Sequence, residues 1–298
     1  MTRFLRPHPP LMLFSLLMAA LAVVSLGGLI VDDRILAGSP IWFKPFKFGV
    51  SLALYGVTLA WMLTLTTRLR RVGRWAGTVI ALAGTAEMVV IVGQVVRGRR
   101  SHFNVATPFD DLLWDVMTYS ILTLWIMHAV IAVALTLTRF ENRAAGLAIR
   151  LGLVLSLIGL ALGILMTNNR NEDDVAAGIV GAHSVGVRDG GPYMALTGWS
   201  TEGGDLRVPH FVGIHALQVI PLAVLLFGRR ATPRLAWGVT IGYAGLMALV
   251  TWQALRGQPL LRPDLPTALG ALVVTTWTVA VIARTLRTTD DAKEVVRA

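Results

Sequence analysis

The chain has 298 residues, 55% of them hydrophobic and 15% charged, with a mean hydropathy of +0.65. Soluble domains carry about 25% charged residues, so a soluble globular fold is excluded; the net charge of +10 sits in short loops between apolar runs and not in a basic stripe, which excludes a nucleic-acid partner. There is no cysteine, which removes disulfides, thiolate metal sites, iron–sulfur clusters and cysteine nucleophiles.

A spanning helix needs about 20 mostly apolar residues. Eight stretches qualify, at about 11–31, 48–66, 75–96, 114–137, 146–166, 209–227, 235–255 and 265–286. The first has a basic start, as a secretory signal does, but runs past the usual apolar core of about 7–15 residues, so it is expected to stay as a span. Backbone groups in lipid must be satisfied within the segment, and the runs do not alternate as barrel strands would. The expected fold is all-α: a polytopic transmembrane helix bundle of about eight spans, one integral membrane domain over 1–298.

Charge sets the orientation. With the N-terminus inside, the inner segments hold Arg3, Arg6, Arg68, Arg70, Arg71, Arg74, Arg139, Arg143, Arg150, Arg229, Arg230, Arg234, Arg284, Arg287, Lys293 and Arg297. The only inner acids are Glu141, Asp290, Asp291 and Glu294; Asp32, Asp33, Asp110, Asp111, Asp173 and Asp174 fall outside. Both termini are therefore expected in the cytoplasm and the chain in a cell (inner or plasma) membrane. Arg97, Arg99 and Arg100 run against this pattern. Tryptophans at both span ends (Trp42, Trp114 and Trp252; Trp61, Trp75 and Trp237) form an aromatic belt. Gly159-x-x-x-Gly163 and Gly238-x-x-x-Gly242 would permit close helix contact. The one long connection, 167–208, is an outer loop rich in turn formers, with no evident helix, expected to close over the bundle mouth.

Four of the six histidines gather at the outer end: His102, His183, His210 and His215. They are candidate metal ligands, with Asp189 or Asp205 as partners. His210 and His215 are five residues apart, about 140° around a helix, so they cannot share one ligand from a regular helix, whereas Gln218 shares the face of His215. Glu87 lies midway along the third span, where a charge costs at least ~2.5–3.5 kcal/mol, so it must be protonated, paired or hydrated. Gln94 is on its face. Lys47, Ser51 and Tyr55 line one face of the second span, and Asp115, Thr118 and Tyr119 the outer half of the fourth. These groups, with His102 and Asn104, predict a polar cavity open to the outside and a small-molecule ligand there. Phosphate-loop, Gly-x-Ser-x-Gly and His-Glu-x-x-His motifs are absent.

Lys44-Pro45-Phe46-Lys47-Phe48, Ser101-His102-Phe103-Asn104 and Gly204-Asp205-Leu206-Arg207-Val208-Pro209-His210-Phe211, running on to His215-Ala216-Leu217-Gln218, resemble a family of uncharacterised bacterial multi-pass integral membrane proteins. The resemblance covers most of the chain and implies the architecture without supplying a mechanism. The functional expectation is a membrane protein of redox or cofactor-binding type, taking haem or quinone. The alternatives are a proton-coupled transporter using Glu87, a metal-dependent membrane hydrolase, and a non-catalytic membrane subunit or sensor. Whether the chain is an enzyme stays open at this point.

Overall fold

A computed structural model describes residues 7–170 and 172–295. Arg3, Arg6 and Arg297 lie outside them, as do the side chains of Asp173, Asp290, Asp291, Lys293 and Glu294. The helices, in chain order, are α1 (Pro9–Val31), α2 (Phe43–Thr64), α3 (Arg70–Arg97), α4 (Pro108–Thr136), α5 (Arg143–Ala161), α6 (Ile164–Asn168), α7 (Glu172–Ala176), α8 (Arg207–Leu225), α9 (Pro233–Leu255) and α10 (Leu265–Val295). Among the described residues, eight stretches are long and apolar enough to cross a membrane, as expected of a multi-pass membrane protein. They are α1 to α4, the α5–α6 stretch Arg143–Asn168, α8, α9, and α10 as far as Arg287.

Local chemistry sets the helix starts. Thr107, Asn142 and Thr232 are extended N-cap residues whose side chains accept from the first turn, and Pro108 and Pro233 follow where a missing N–H costs nothing. His8 caps α1: Leu11 N–H donates to its Nδ1 at 3.3 Å, and its Nε2 meets Arg74 O at 2.8 Å. The 167–208 connection is not helix-free as the sequence suggested, since it holds the short helix α7, while α6 continues the fifth span.

The chain divides into two compact units: Met1–Thr138 with Ile164–Glu202, and Arg139–Gly163 with Gly203–Ala298. In the first, α1 packs along α2 and α3 along α4, while α2 also meets α3. Small residues allow the approach: a side chain at Gly84 would meet the Phe14 ring at 2.7 Å. In the second, α5, α8 and α9 pack together and α10 lies on α9. Gly159 of α5 lies against the backbone of Gly213 of α8, leaving no room for a methyl group on either. Gly238 and Gly242 of α9 sit against Val281 and Thr278 of α10. Both glycine pairs thus include contact points between helices, the use anticipated for them.

Candidate functional site

The first unit brings together residues far apart in sequence. Glu87 of α3 is 1% exposed, and neither carboxylate oxygen has a hydrogen-bond partner among the described residues. The imidazole of His102 lies beside it, with Nε2 3.5 Å from Oε1 and no hydrogen bond between them. Lys44 acts on Glu87 electrostatically from the start of α2. Glu87 stands ten residues before the end of α3, so its Cα is about 15 Å down the helix. For His102 to reach it, the segment after α3 must turn back into the bundle.

The structure shows what holds that segment. Phe103 has φ +61°, the left-handed region that favours glycine, yet is 4% exposed. The segment 178–180 pins it: Val180 N donates to Phe103 O at 2.8 Å and Val105 N to Gly178 O at 2.8 Å. Asn104, a candidate ligand-contacting residue, is used here for structure. It bridges Ile179, donates to Arg100 O at 3.0 Å and accepts from Ala106 N at 3.1 Å. The His102 ring is ringed by Phe48, Phe103 and Trp114, with centroids 5.7, 5.9 and 5.9 Å away. Its Nδ1 lies 3.2 Å from Ser101 Oγ, which leaves Nε2 directed toward Glu87.

The 164–202 segment is anchored on the same end of this unit. Lys47 Nζ donates to Thr197 O at 2.8 Å and lies 4.3 Å from the Phe43 ring centre. His183 Nδ1 pairs with Asp189 Oδ2 at 2.7 Å, and its ring packs on Phe103 with centroids 5.3 Å apart. Asp189 also accepts from the backbone N–H of His183 and Ser184. Burial works to raise the Asp189 pKa, but the bonds and charge of His183 outweigh it and hold the carboxyl well below its ordinary value. A cleft of about 360 Å³ within the segment is lined by Asn169, Arg170, Asp174, Ser184 and Arg188, with Arg188 paired to Asp174 at 2.8 Å.

The remaining candidates take other places. Gln94 is buried, donating to Asp110 Oδ1 at 2.9 Å and accepting from Arg97 at 2.6 Å. Arg97 also pairs with Asp110 at 2.6 Å, which gives one of the three unexpected arginines a structural partner. Asp115, Thr118 and Tyr119 are exposed on α4, so they do not line an interior with Glu87. Tyr55 is buried and its hydroxyl lies 2.8 Å from His128 Nδ1. In the second unit, His210 Nδ1 meets Gly159 O at 2.8 Å, and His215 stacks edge-on with Phe211 beside Gln218. Asp205 pairs with Arg207. Among the described residues, no three His, Asp or Glu side chains converge as a metal site.

Sequence reasoning singled out Glu87 and His102 separately, and nothing in their fifteen-residue separation showed that they meet. It passed over Phe48, Phe103 and Trp114 as site walls and Asp110 as the partner of Gln94, and it grouped His183 with Asp189 only as possible metal ligands, not as a direct pair. The first two motif stretches, around Lys44 and His102, do come together here; that coincidence was the one sequence signal available. No family model, no curated protein and no solved structure matches the chain.

Proposed function

We propose that the chain is a multi-pass membrane protein that works through a proton carried at Glu87 and exchanged by way of His102. Its end bearing the 164–202 segment faces outward, both termini face the cytoplasm, and a small solute crosses in step with the proton. One observation carries this reading: Glu87 is 1% exposed in a membrane-crossing helix, and both its oxygens lack a hydrogen-bond donor among the described residues. A carboxyl group left in that state is costly, so the site calls for a proton, a cation or a ligand donor to complete it. The imidazole 3.5 Å away is a group that can deliver or remove the proton after a small rotation.

A second reading, quinone redox chemistry, is favoured by the three aromatic rings around His102. A quinol hydroxyl could donate to Glu87 while its ring lies against theirs. Haem has weaker support, because His102 is directed toward Glu87, His183 is held by Asp189 and His210 is held by a backbone carbonyl. The metal-hydrolase reading has no convergent ligand set behind it among the described residues.

The test is a pH step across proteoliposomes, with the membrane potential clamped and lumenal pH read by a trapped dye. Wild-type protein should relax the step faster than Glu87→Gln, with His102→Gln in between. Equal relaxation in all three would overturn proton passage. Quinone extracted from purified wild type but missing from Glu87→Gln would move the conclusion to the redox reading.

A further inference from the structure

We infer that the Tyr55–His128 pair relays protons to Glu87 from the opposite end of the first unit, along the face of α2 that carries Lys44, Phe48, Ser51 and Tyr55. This rests on the reading of Glu87 as a proton carrier and adds the route by which the proton reaches it. At 100° per residue those four side chains fall within an arc of about 60°. The upper two belong to the site already described: Lys44 acts on Glu87, and Phe48 packs edge-on against His102. The lowest, Tyr55, is 7% exposed and bonded to His128, itself 0% exposed. One stripe of α2 therefore joins two buried titratable clusters.

The levels agree. Tyr55 lies nine residues from the end of α2 at Thr64, and His128 eight from the end of α4 at Thr136. Both are about 12–14 Å above the end of the unit where α2 turns into α3. Glu87 lies seventeen residues beyond Arg70, about 25 Å from the same end. Side chains lean toward the N-terminus of their own helix. The Glu87 chain therefore leans down toward the pair, and the Tyr55 chain leans up toward Glu87. Ser51 stands one turn above Tyr55, about 6 Å along the path.

The pair has the chemistry for transfer. A proton delivered to His128 Nε2 by water entering from the α2–α3 turn side is matched by transfer of the Nδ1 proton to Tyr55 Oη. The original Tyr55 hydroxyl proton then leaves, over Ser51 or water, and forms the O–H bond of Glu87. One proton moves and no electron is transferred; the imidazole regains its first tautomer when water takes the Nε2 proton and returns one to Nδ1, so the ring ends with the protons it began with. The 2.8 Å contact and the 12° angle between the two rings fix the first step.

The experiment uses the full chain in liposomes of defined orientation. An acid step is applied from one side at a time, and the infrared carbonyl band of protonated Glu87 is followed, assigned by its loss in Glu87→Gln. With the step on the α2–α3 turn side, Tyr55→Phe should slow the rise by about tenfold or more, and Ser51→Ala should slow it less. The final amplitude, and the rate from the opposite side, should match wild type. Tyr119→Phe, which alters an exposed ring 67% open to the surroundings, should match wild type in both directions. Unchanged rates in Tyr55→Phe and Ser51→Ala would overturn the relay while leaving Glu87 as the carrier. A wild type with no such band would overturn the reading of Glu87 itself.

Discussion

Glu87 and Asp110 are both 1% exposed, which makes them a matched pair for asking what a buried carboxyl group does in this chain. Asp110 is fully engaged: Gln94, Arg97 and the Thr107 hydroxyl all donate to it, at 2.9, 2.6 and 2.8 Å. Its own N–H returns a bond to Thr107, a reciprocal cap at the start of α4. Glu87 receives none of this. Asp110→Asn should therefore destabilise by on the order of 2 kcal/mol. That figure sits at the low end because the Arg97 side chain is 36% exposed, so water already screens its charge. Glu87→Met keeps the volume and removes an unsatisfied polar group, so it should be neutral or stabilising by about 1–3 kcal/mol. Each kcal/mol corresponds to about 2–4 °C in Tm for domains of 150–250 residues. Nine tryptophans provide an intrinsic fluorescence readout of unfolding in mild detergent. If Glu87→Met lowered Tm as much as Asp110→Asn does, Glu87 would be a structural residue and the functional argument built on its isolation would fail.

Three further outcomes follow from single contacts. His8 accepts at Nδ1 from Leu11 N–H and meets Arg74 O through Nε2, so it is held as the neutral Nε2–H tautomer. Burial lowers its pKa against the smaller opposing effect of the Arg74 carbonyl, so its contribution is complete above about pH 6.5 and is lost as pH falls through the lower folded value. His8→Gln should flatten that acid limb of a Tm-versus-pH curve. Asp189→Asn replaces the acceptor of the His183 and Ser184 bonds and should cost about 1.5–3 kcal/mol of local stability, read as faster proteolysis within 183–191. Because the Asp189 pKa is depressed, that stability is present above about pH 3.9 and declines only in stronger acid. Gly159→Val drives a side chain into the backbone of Gly213 and should destabilise the second unit by about 1–3 kcal/mol or more; Gly93→Val, in open space, should not.

The eight apolar helices were readable because length and hydropathy act locally; hydropathy alone placed the start of the fourth span at 114, whereas the Thr107 cap and Pro108 begin the helix six residues earlier. Glu87 stood out for the same reason: a lone carboxyl in an apolar run needs no partner to be noticed. Its neighbour did not stand out. His102 reaches Glu87 only because the segment after α3 folds back, held by 178–180, a strand-like contact made some seventy residues later in the chain. Helical periodicity also left rotation unsettled. Asp115, Thr118 and Tyr119 do share a face of α4, but packing against α3 turns that face outward. Asp189 reads as a turn residue in a glycine-rich stretch, and its pairing with His183 depends on loop geometry.

The central claim is that Glu87 and His102 handle one proton as a coupled pair. It is tested most directly by infrared titration of the Glu87 carbonyl band in wild type and in His102→Gln. The imidazole Nε2 lies 3.5 Å from Oε1, within reach of direct proton exchange with the carboxyl group. Removing the imidazole should therefore move the titration midpoint by about one pH unit or more. A midpoint that stays where it was in wild type would contradict the account.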